Sequence, residues 1–271
     1  MLDLIVNTYN LIIYQPLFNA LVLLYEVIPG RDFGVAVIAL TVLVRIAFYP
    51  LSAKGMLAQK KLSELQPKIK ALQEQFKKDR ERQAKETMAL YKQEGVNPFA
   101  GFLPLLVQLP ILFALYRLFL GGLNPEQFSF LYSFVANPGA IDPSFLGILD
   151  LSQTSIILAL VAGAAQFWQT RYSFMSSKRT GGKDFASRMQ KQMMYFFPFI
   201  TILIVSRFPA AIGLYWIATS LFSVFQQYRV NKHDSARNIV KDDDSERTER
   251  REGFEKNRVE NYDITRNQNN S

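Results

Sequence analysis

The chain has 271 residues, of which 49% are hydrophobic and 20% are charged, against about 25% charged residues in an ordinary globular domain. It contains no cysteine and one histidine, which excludes disulfides and thiolate metal sites and nearly excludes a histidine-based metal centre or catalytic triad. The net charge of +8 is unevenly distributed and leaves long stretches almost free of charge. This pattern is typical of a polytopic membrane protein.

Residues 1–32 are mostly apolar but are interrupted by polar side chains, and the apolar stretch ends near Pro29-Gly30. They carry neither the basic amino-terminal region nor the small-residue cleavage site of a signal peptide. Aromatic residues recur between aliphatic ones, which suits a helix that lies in the membrane interface. Residues 1–32 are therefore predicted to form an amphipathic interfacial helix, and the alternative is a poorly hydrophobic first transmembrane span.

Five later segments are apolar over the length that a helix needs to cross a bilayer. The fourth reaches that length only if it recruits residues 190–192. The predicted spans are 33–51, 99–121, 152–170, 190–206 and 209–227. The sequence thus predicts an all-α polytopic membrane protein with a five-helix core over residues 33–230.

Lysine and arginine are concentrated in the loops on one side of the predicted spans, a pattern that indicates orientation in the membrane. Residues 52–98 hold eleven basic residues, and the loop 171–191 holds six against one acid. The loop 123–153, on the other side, holds three acids and no basic residue. The sequence therefore predicts that the N-terminus lies outside the cell and the C-terminus in the cytoplasm.

The hydrophilic segment 53–96, between the first two predicted spans, has the spacing of a heptad seam. Its first half carries apolar residues three or four positions apart, at Leu62, Leu65, Ile69, Leu72 and Phe76. After a polar break the pattern continues at Ala84, Met88 and Tyr91. We predict a cytoplasmic antiparallel helical hairpin, kinked at Pro67, that docks a partner or contacts lipid headgroups. The alternative is a solvated spacer whose basic residues only fix the topology.

The last segment, 231–271, is rich in charges of both signs and poor in apolar residues. Such a composition cannot bury enough apolar surface to offset the entropy cost of folding. We therefore predict a disordered cytoplasmic tail, whose balanced charge does not favour ribosome binding.

Polar side chains recur inside the predicted spans, which contain no acidic residue. They include Thr41, Arg45, Gln108, Gln166, Trp216 and Ser220. Because each polar group is costly in hydrocarbon, these side chains are expected to face one another or a wet cavity. The alternative for each residue taken alone is packing between helices.

Several ordered motifs carry a resemblance to a known family. They are Thr41-Val42-Leu43-Val44-Arg45, Gln66-Pro67-Lys68-Ile69, Ala89-Leu90-Tyr91-Lys92, Val96-Asn97-Pro98, the run 104–111, Phe208-Pro209-Ala210, Leu214-Tyr215-Trp216 and Gln226-Gln227. The chain resembles, over about residues 1–230, the YidC family of membrane protein insertases, bacterial relatives of the mitochondrial Oxa and chloroplast Alb proteins. Ala211 and Ser220 depart from the glycine and asparagine that are usual there, which affects fine packing.

The resemblance implies an insertase of the bacterial plasma membrane that inserts and folds nascent membrane proteins through a hydrophilic groove. By family position Arg45 and Gln166 lie in the groove, and Thr41 and Trp216 line the substrate path. Gln108 and Ser220 are added to the predicted groove because they are polar positions within the spans. The hairpin that recruits partners contains Gln66, Pro67, Lys68 and Tyr91. The implied partners are nascent membrane proteins, the bilayer, the ribosome, targeting factors and the general secretion channel. No enzymatic activity, cofactor, metal or direct nucleic-acid recognition is implied.

Two other classes of protein share some of these features. A small channel or secondary transporter would need inverted repeats, broken helices or an acidic coupling residue within the membrane, and the sequence displays none of them. A membrane scaffold would use only the coiled-coil hairpin.

Overall fold

The structure is a computed structural model, and it describes residues 2–97, 99, 103–121, 125–176, 185–232 and 234. The chain divides into two compact units, Met1–Gln227 and Tyr228–Ser271. The predicted disorder of the tail concerns residues 231–271, nearly all of which lie outside the described residues.

Helices make up most of the first unit, as the sequence predicts. In chain order they are α1 (Leu2–Tyr9), α2 (Gln15–Val27), α3 (Phe33–Ala47), α4 (Tyr49–Gln75), α5 (Arg80–Gln93), α6 (Leu103–Gly121), α7 (Ile156–Ser176) and α8 (Phe185–Val205). A last helix, α9, begins at residue 210 and reaches the end of the unit at 227, and residues 228–232 of the second unit are also helical. A 3-10 turn and two short strands lie between α6 and α7: Pro125–Phe130, β1 (Ser144–Phe145) and β2 (Leu149–Asp150).

The N-terminal helix is continuous, because a π-helical turn, Asn10–Tyr14, joins α1 to α2 without a break. Within the described parts of the chain, Asp3–Val27 is the one helix that is long and apolar enough to cross a membrane by itself. Helices α3 and α4 meet the same criterion only when they are counted together as one bent span. The segment that was predicted to lie in the interface is therefore also long and apolar enough for the alternative, a transmembrane span. The count of five later spans stays a prediction.

Helices α3 and α4 meet at Phe48 with an angle of 66° between them. Pro50 stands in the first turn of α4, where a proline has no amide hydrogen to donate back into α3. The straight part of the first predicted span, 33–51, therefore ends at Ala47. Helix α4 continues through Pro67 without an interruption.

The largest group of buried side chains joins the N-terminal helix, α3, α6, α9 and the loop that follows α6. Aromatic rings such as those of Tyr14 and Phe18 fill much of it. Buried Asn19 ties the N-terminal helix to the loop, since its amide donates to the Phe130 carbonyl at 2.9 Å and accepts from the Tyr132 N–H at 2.7 Å. The core therefore lies where α3 begins and α6 ends.

The two strands form an antiparallel hairpin with Phe145 opposite Leu149. This hairpin is fixed against the start of α3, because the Phe145 ring occupies the space that a Cβ on Gly34 would need. Asp32, the N-cap of α3, also accepts a hydrogen bond from the Leu146 N–H. A glycine at position 34 is what permits the close approach.

Helices α4 and α5 pack against each other through a small apolar cluster whose buried members are Leu65, Ile69 and Val96. Beside it, Lys68 Nζ and Glu94 Oε1 form a salt bridge at 2.5 Å. Burial of Leu65 and Ile69 agrees with the seam predicted for the first half of this segment.

On α5, Tyr91 packs against this cluster as predicted, but the first two predicted seam residues do not. Gln83 Nε2 donates to the Gln73 carbonyl at 3.1 Å, so Gln83 faces α4 and its partly buried neighbour one turn on is Thr87. Ala84 is exposed, and Met88 is 55% exposed. The prediction of Ala84 and Met88 as seam residues is wrong by one position, because α5 has too few apolar residues to set its own rotation.

Helices α7 and α8 approach each other closely at small residues. A Cβ on Gly163 would overlap the Ile202 side chain, and Ala159 and Ala162 are fully buried beside Val205. Small residues at such contacts let the backbones of membrane helices pack tightly.

Candidate functional site

A small cavity lies where α3, α4, α6 and α9 meet. Its volume of about 20 Å³ gives room for about one water molecule. Its wall is formed by the apolar residues Val44, Phe48, Leu51 and Ile111. Five polar side chains complete the wall: Thr41, Arg45, Ser52, Gln108 and Tyr215. Three of the predicted groove residues therefore share one cavity, which we call the Arg45 cavity.

Neutral groups hold the Arg45 guanidinium in this cavity. Arg45 Nη2 donates to Gln108 Oε1 at 2.9 Å, and Gln108 Nε2 donates in turn to the Tyr215 hydroxyl. Carboxylates pair with Arg31 and Lys68 elsewhere in the structure, but among the described residues no carboxylate pairs with Arg45. The charge of Arg45 is thus positioned by hydrogen bonds without being neutralised by this part of the chain.

Thr41 lies one helical turn before Arg45 on α3 and is buried. Its hydroxyl donates to the Val37 carbonyl of the same helix at 2.6 Å. That bond satisfies the donor locally and leaves the hydroxyl oxygen as an acceptor toward the cavity.

The other three predicted groove residues form a second cluster, which we call the Gln166 cluster. Trp216 Nε1 donates to Gln166 Oε1 at 2.9 Å, and the Ser220 hydroxyl donates to the same oxygen at 3.4 Å. Gln166 Nε2 reaches the Thr170 hydroxyl of its own helix at 3.4 Å. Polar groups on α7 and α9 therefore satisfy one another, as expected for polar side chains in an apolar helix bundle.

The structure thus arranges the six predicted groove residues as two clusters. They meet on α9 at consecutive residues, since Tyr215 bonds to Gln108 on α6 and Trp216 bonds to Gln166 on α7. One helix therefore connects the positively charged cavity to the neutral cluster.

Tyr215 is a site residue that the polar pattern did not reveal. Its side chain is 3% exposed and completes the chain of hydrogen bonds from Arg45. The polar stripe on the last span runs through Trp216 and Ser220, and a tyrosine next to that stripe looks like packing. The available signal was its hydroxyl, which needs a partner when it is buried.

Arg117 is a second arginine within the predicted spans that sequence reasoning overlooked. Its Nη1 donates to Asn10 Oδ1 at 2.6 Å, and its guanidinium lies 4.3 Å from the centre of the Tyr14 ring. The Tyr14 hydroxyl donates to Gln127 Oε1 at 2.8 Å. The signal was a charged residue in the second apolar span, and its observed contacts attach the N-terminal helix to α6.

The predicted hairpin residues have different environments. Lys68 is engaged by Glu94, and Tyr91 packs against the buried cluster between α4 and α5. Gln66 is half-buried and Pro67 is exposed. Of these four, Pro67 and Lys68 are exposed to a partner.

Comparison with known proteins identifies the family. Residues 23–237 match the model of the 60Kd inner membrane protein family. The chain is 36% identical over 201 residues to the membrane protein insertase YidC of Fusobacterium nucleatum, and 33% identical over 220 residues to that of Syntrophus aciditrophicus. The chain therefore belongs to the 60Kd inner membrane protein family, the YidC family whose motifs it carries. This membership supports a location in the bacterial plasma membrane.

These relatives differ in length. The matched regions cover 74% of this chain and 87% of the Fusobacterium protein, but 80% of this chain and 36% of the Syntrophus protein. A crystal structure of an active YidC insertase with its first transmembrane domain resolved is similar to this fold, with a TM-score of 0.52 and 25% identity. That match covers 79% of this chain and 46% of the solved chain, so the chain spans about half or less of the longer relatives.

Proposed function

We propose that this protein inserts nascent membrane proteins into the bacterial plasma membrane and assists their folding through a polar groove built around Arg45. The proposal rests on the Arg45 cavity, in which neutral Gln108 accepts a hydrogen bond from the guanidinium and no carboxylate among the described residues pairs with it. The relatives from Fusobacterium nucleatum and Syntrophus aciditrophicus are named insertases.

The proposed mechanism is physical and needs no covalent step. A nascent span brings a polar outer segment that loses its hydration when it enters the membrane. Water in the cavity and the Arg45 charge offset part of that cost, most strongly for segments with acidic residues. Partition of the apolar span into lipid then drives transfer, at about 0.8 kcal/mol for each buried methylene group.

The proposed architecture has five transmembrane helices, an external N-terminus and a cytoplasmic C-terminus. The helical hairpin is proposed to extend from the Arg45 cavity. Leu51 and Ser52 at the start of α4 line that cavity, and the later part of α4 packs against α5. A hairpin that begins at the cavity is well placed to deliver substrates to it. Its proposed partners are the ribosome, targeting factors and the general secretion channel.

The Gln166 cluster is the proposed continuation of the groove toward α7. Its side chains are neutral and satisfy each other, so they can accept a passing polar segment by exchanging hydrogen bonds. We assign Thr41, Arg45 and Gln108 to the charged part of the path, and Gln166, Trp216 and Ser220 to the neutral part.

Complementation of a cell depleted of its own insertase tests this proposal. The wild-type chain is expected to restore growth and insertion of a single-span substrate that has an acidic outer tail. Arg45→Ala should lower that insertion about tenfold or more, because interactions with a charged group contribute about 1.5–3 kcal/mol. Arg45→Lys should retain part of the activity.

The matched control is Arg207→Ala, which removes an exposed arginine from the turn between α8 and α9. It should insert the substrate like the wild type, and all variants should accumulate in the membrane to similar levels. Wild-type insertion by Arg45→Ala would reduce the arginine to a membrane anchor and refute the groove mechanism.

A further inference from the structure

We propose that the tip of the outer β-hairpin, Leu146-Gly147-Ile148, inserts into the outer leaflet and binds lipid acyl chains beside the start of α3. This inference rests on the proposed placement of α3 as a membrane span. It adds a lipid contact on the side of the molecule opposite the cytoplasmic hairpin.

The conformation of the tip is unusual for its sequence. The Ile148 N–H donates to the Phe145 carbonyl at 3.1 Å, and both central residues have positive φ, 54° at Leu146 and 67° at Gly147. Positive φ values strongly favour glycine, and after it asparagine or aspartate. A leucine in this conformation is strained, so the backbone geometry does not explain why position 146 is a leucine.

Burial does not account for it either. Leu146 is 62% exposed and Ile148 is 87% exposed. The pair just beneath them, Phe145 and Leu149, packs against the hydrophobic core. The hairpin is therefore held by its base, while two large aliphatic side chains at its tip project away from the described parts of the chain.

The contacts of the hairpin fix the level of its tip. The Leu146 N–H donates to Asp32, which caps the first turn of α3 through its other oxygen. The Phe145 ring lies directly against Gly34 in that same turn. If α3 crosses the membrane, its first turn lies at the outer interface, and the tip lies at that level too.

The charge of the surrounding loop identifies the part of the lipid that is bound. Residues 123–153 contain three acids and no basic residue, so the loop offers no lysine or arginine to an anionic headgroup. Two aliphatic side chains at an interface gain free energy by leaving water for hydrocarbon. The expected contact is therefore apolar, with little dependence on anionic lipid or salt.

Because the chain has no cysteine, one fluorescent label can be placed at the tip. Ile148→Cys is labelled with the environment-sensitive dye NBD, and the full-length protein is reconstituted into phosphatidylcholine vesicles. The expected result is blue-shifted emission, quenching by lipids with a spin label near the headgroup, and protection from aqueous iodide. Vesicles with added phosphatidylglycerol should give the same result.

Two control positions make the outcome readable. A label at Ser133→Cys, exposed in the same loop, should be quenched by iodide and not by lipid. A label at Leu43→Cys, 51% exposed on α3, should be quenched by deeply spin-labelled lipid. Absence of lipid quenching at Leu43→Cys would refute the membrane placement of α3 on which the proposed function depends.

Lipid quenching at Leu43→Cys together with a water-exposed label at Ile148→Cys would overturn the tip inference alone. Shielding from iodide without lipid quenching, rising with the density of protein in the vesicles, would also overturn it, since a second copy would then cover the tip. In a second variant, Leu146→Asn suits the turn and removes one aliphatic group. It should keep the fold in detergent and weaken lipid quenching of the Ile148→Cys label, and unchanged quenching would contradict the inference.

Discussion

At the scale of single residues, the arrangement around Arg45 explains how a charge can persist in an apolar helix bundle. An arginine at the centre of a membrane helix costs about 2.5–3.5 kcal/mol on insertion scales, and the cost is smaller for Arg45 because it lies in the last turn of α3. Gln108 offsets part of that free-energy cost by accepting one hydrogen bond at 2.9 Å from Arg45, and Tyr215 orients the glutamine. The residual charge is what the proposed mechanism uses.

Substitution of Gln108 separates a positioned charge from a structural hydrogen bond. Gln108→Glu would place a carboxylate next to the guanidinium and neutralise it, whereas Gln108→Leu would remove the hydrogen bond and leave the charge. We therefore expect Gln108→Glu to insert an acidic-tailed substrate more poorly than Gln108→Leu does, by about fivefold or more, since a buried pair at this distance exceeds about 1 kcal/mol. Insertion rates of both variants, normalised to their amounts in the membrane, provide the measurement.

A substrate with a neutral outer tail is the control, and it should respond to the two variants about equally. Better insertion by Gln108→Glu than by Gln108→Leu would mean that the site needs the hydrogen bond rather than the field of Arg45.

The sequence predicted part of this site for a clear physical reason. A polar or charged side chain in an apolar segment must find a partner, so Thr41, Arg45 and Gln108 could be expected to meet. Which partner each one finds depends on helix rotation, which no single-sequence pattern fixes. Tyr215 was missed because a tyrosine in a membrane helix also fits apolar packing.

At the scale of helices, the N-terminal helix makes more contacts with α6 than a helix lying only in the membrane interface would be expected to make. The Tyr9 hydroxyl donates to the Pro110 carbonyl at 3.2 Å, and Asn10 accepts from Arg117 further along α6. Pro110 lies eleven residues before Gly121 at the end of α6, which corresponds to about 16 Å along the helix. The N-terminal helix therefore runs beside α6 and reaches well along its length.

Arg117 is expected to hold the N-terminal helix in that position. Arg117→Leu would remove the hydrogen bond to Asn10 and the stacking on Tyr14, and a cation–π contact that is partly desolvated contributes about 1–2 kcal/mol. Hydrogen exchange of amides 4–14 in detergent-solubilised protein should become several-fold faster, while exchange in α3 stays unchanged. The comparison variant is Arg207→Leu, and equal exchange in the two proteins would show that Arg117 does not hold the helix.

The helical pair α4 and α5 illustrates the limit of periodicity. Leu65 and Ile69 were predicted to be buried because α4 has a regular apolar seam, and they are. On α5, Gln83 bonds to α4 while Ala84 and Met88 are exposed, and the apolar contacts come from Leu90 and Tyr91 near its end. A pattern with few apolar residues predicts the helix but not the face it buries.

At the scale of the whole molecule, the sequence predicts the order of helices well, because each apolar segment and each polar loop differ strongly in composition. It predicts the exact ends less well. The first predicted span bends at Phe48 ahead of Pro50, and its early end arises from local proline geometry rather than from composition. Whether Asp3–Val27 lies in the membrane interface or spans the membrane depends on tertiary contacts, which a hydropathy pattern does not report.

The orientation of the molecule can be measured directly, since single cysteines can be introduced into a chain that has none. In intact cells a membrane-impermeant thiol reagent should label Ser133→Cys in the outer loop and spare Lys78→Cys in the hairpin. After the membrane is permeabilised, both positions should react. The reverse pattern in intact cells would overturn the predicted orientation and the cytoplasmic hairpin together.

Reconstitution shows whether this chain itself inserts membrane proteins by means of the Arg45 cavity. Purified protein is placed in vesicles, a single-span substrate with an acidic outer tail is synthesised outside, and the fragment protected from protease is measured. We expect vesicles with the wild-type chain to protect far more substrate than empty vesicles. Vesicles with an equal amount of the Arg45→Ala protein should protect about as little as empty ones. Equal protection in wild-type and Arg45→Ala vesicles would contradict this expectation.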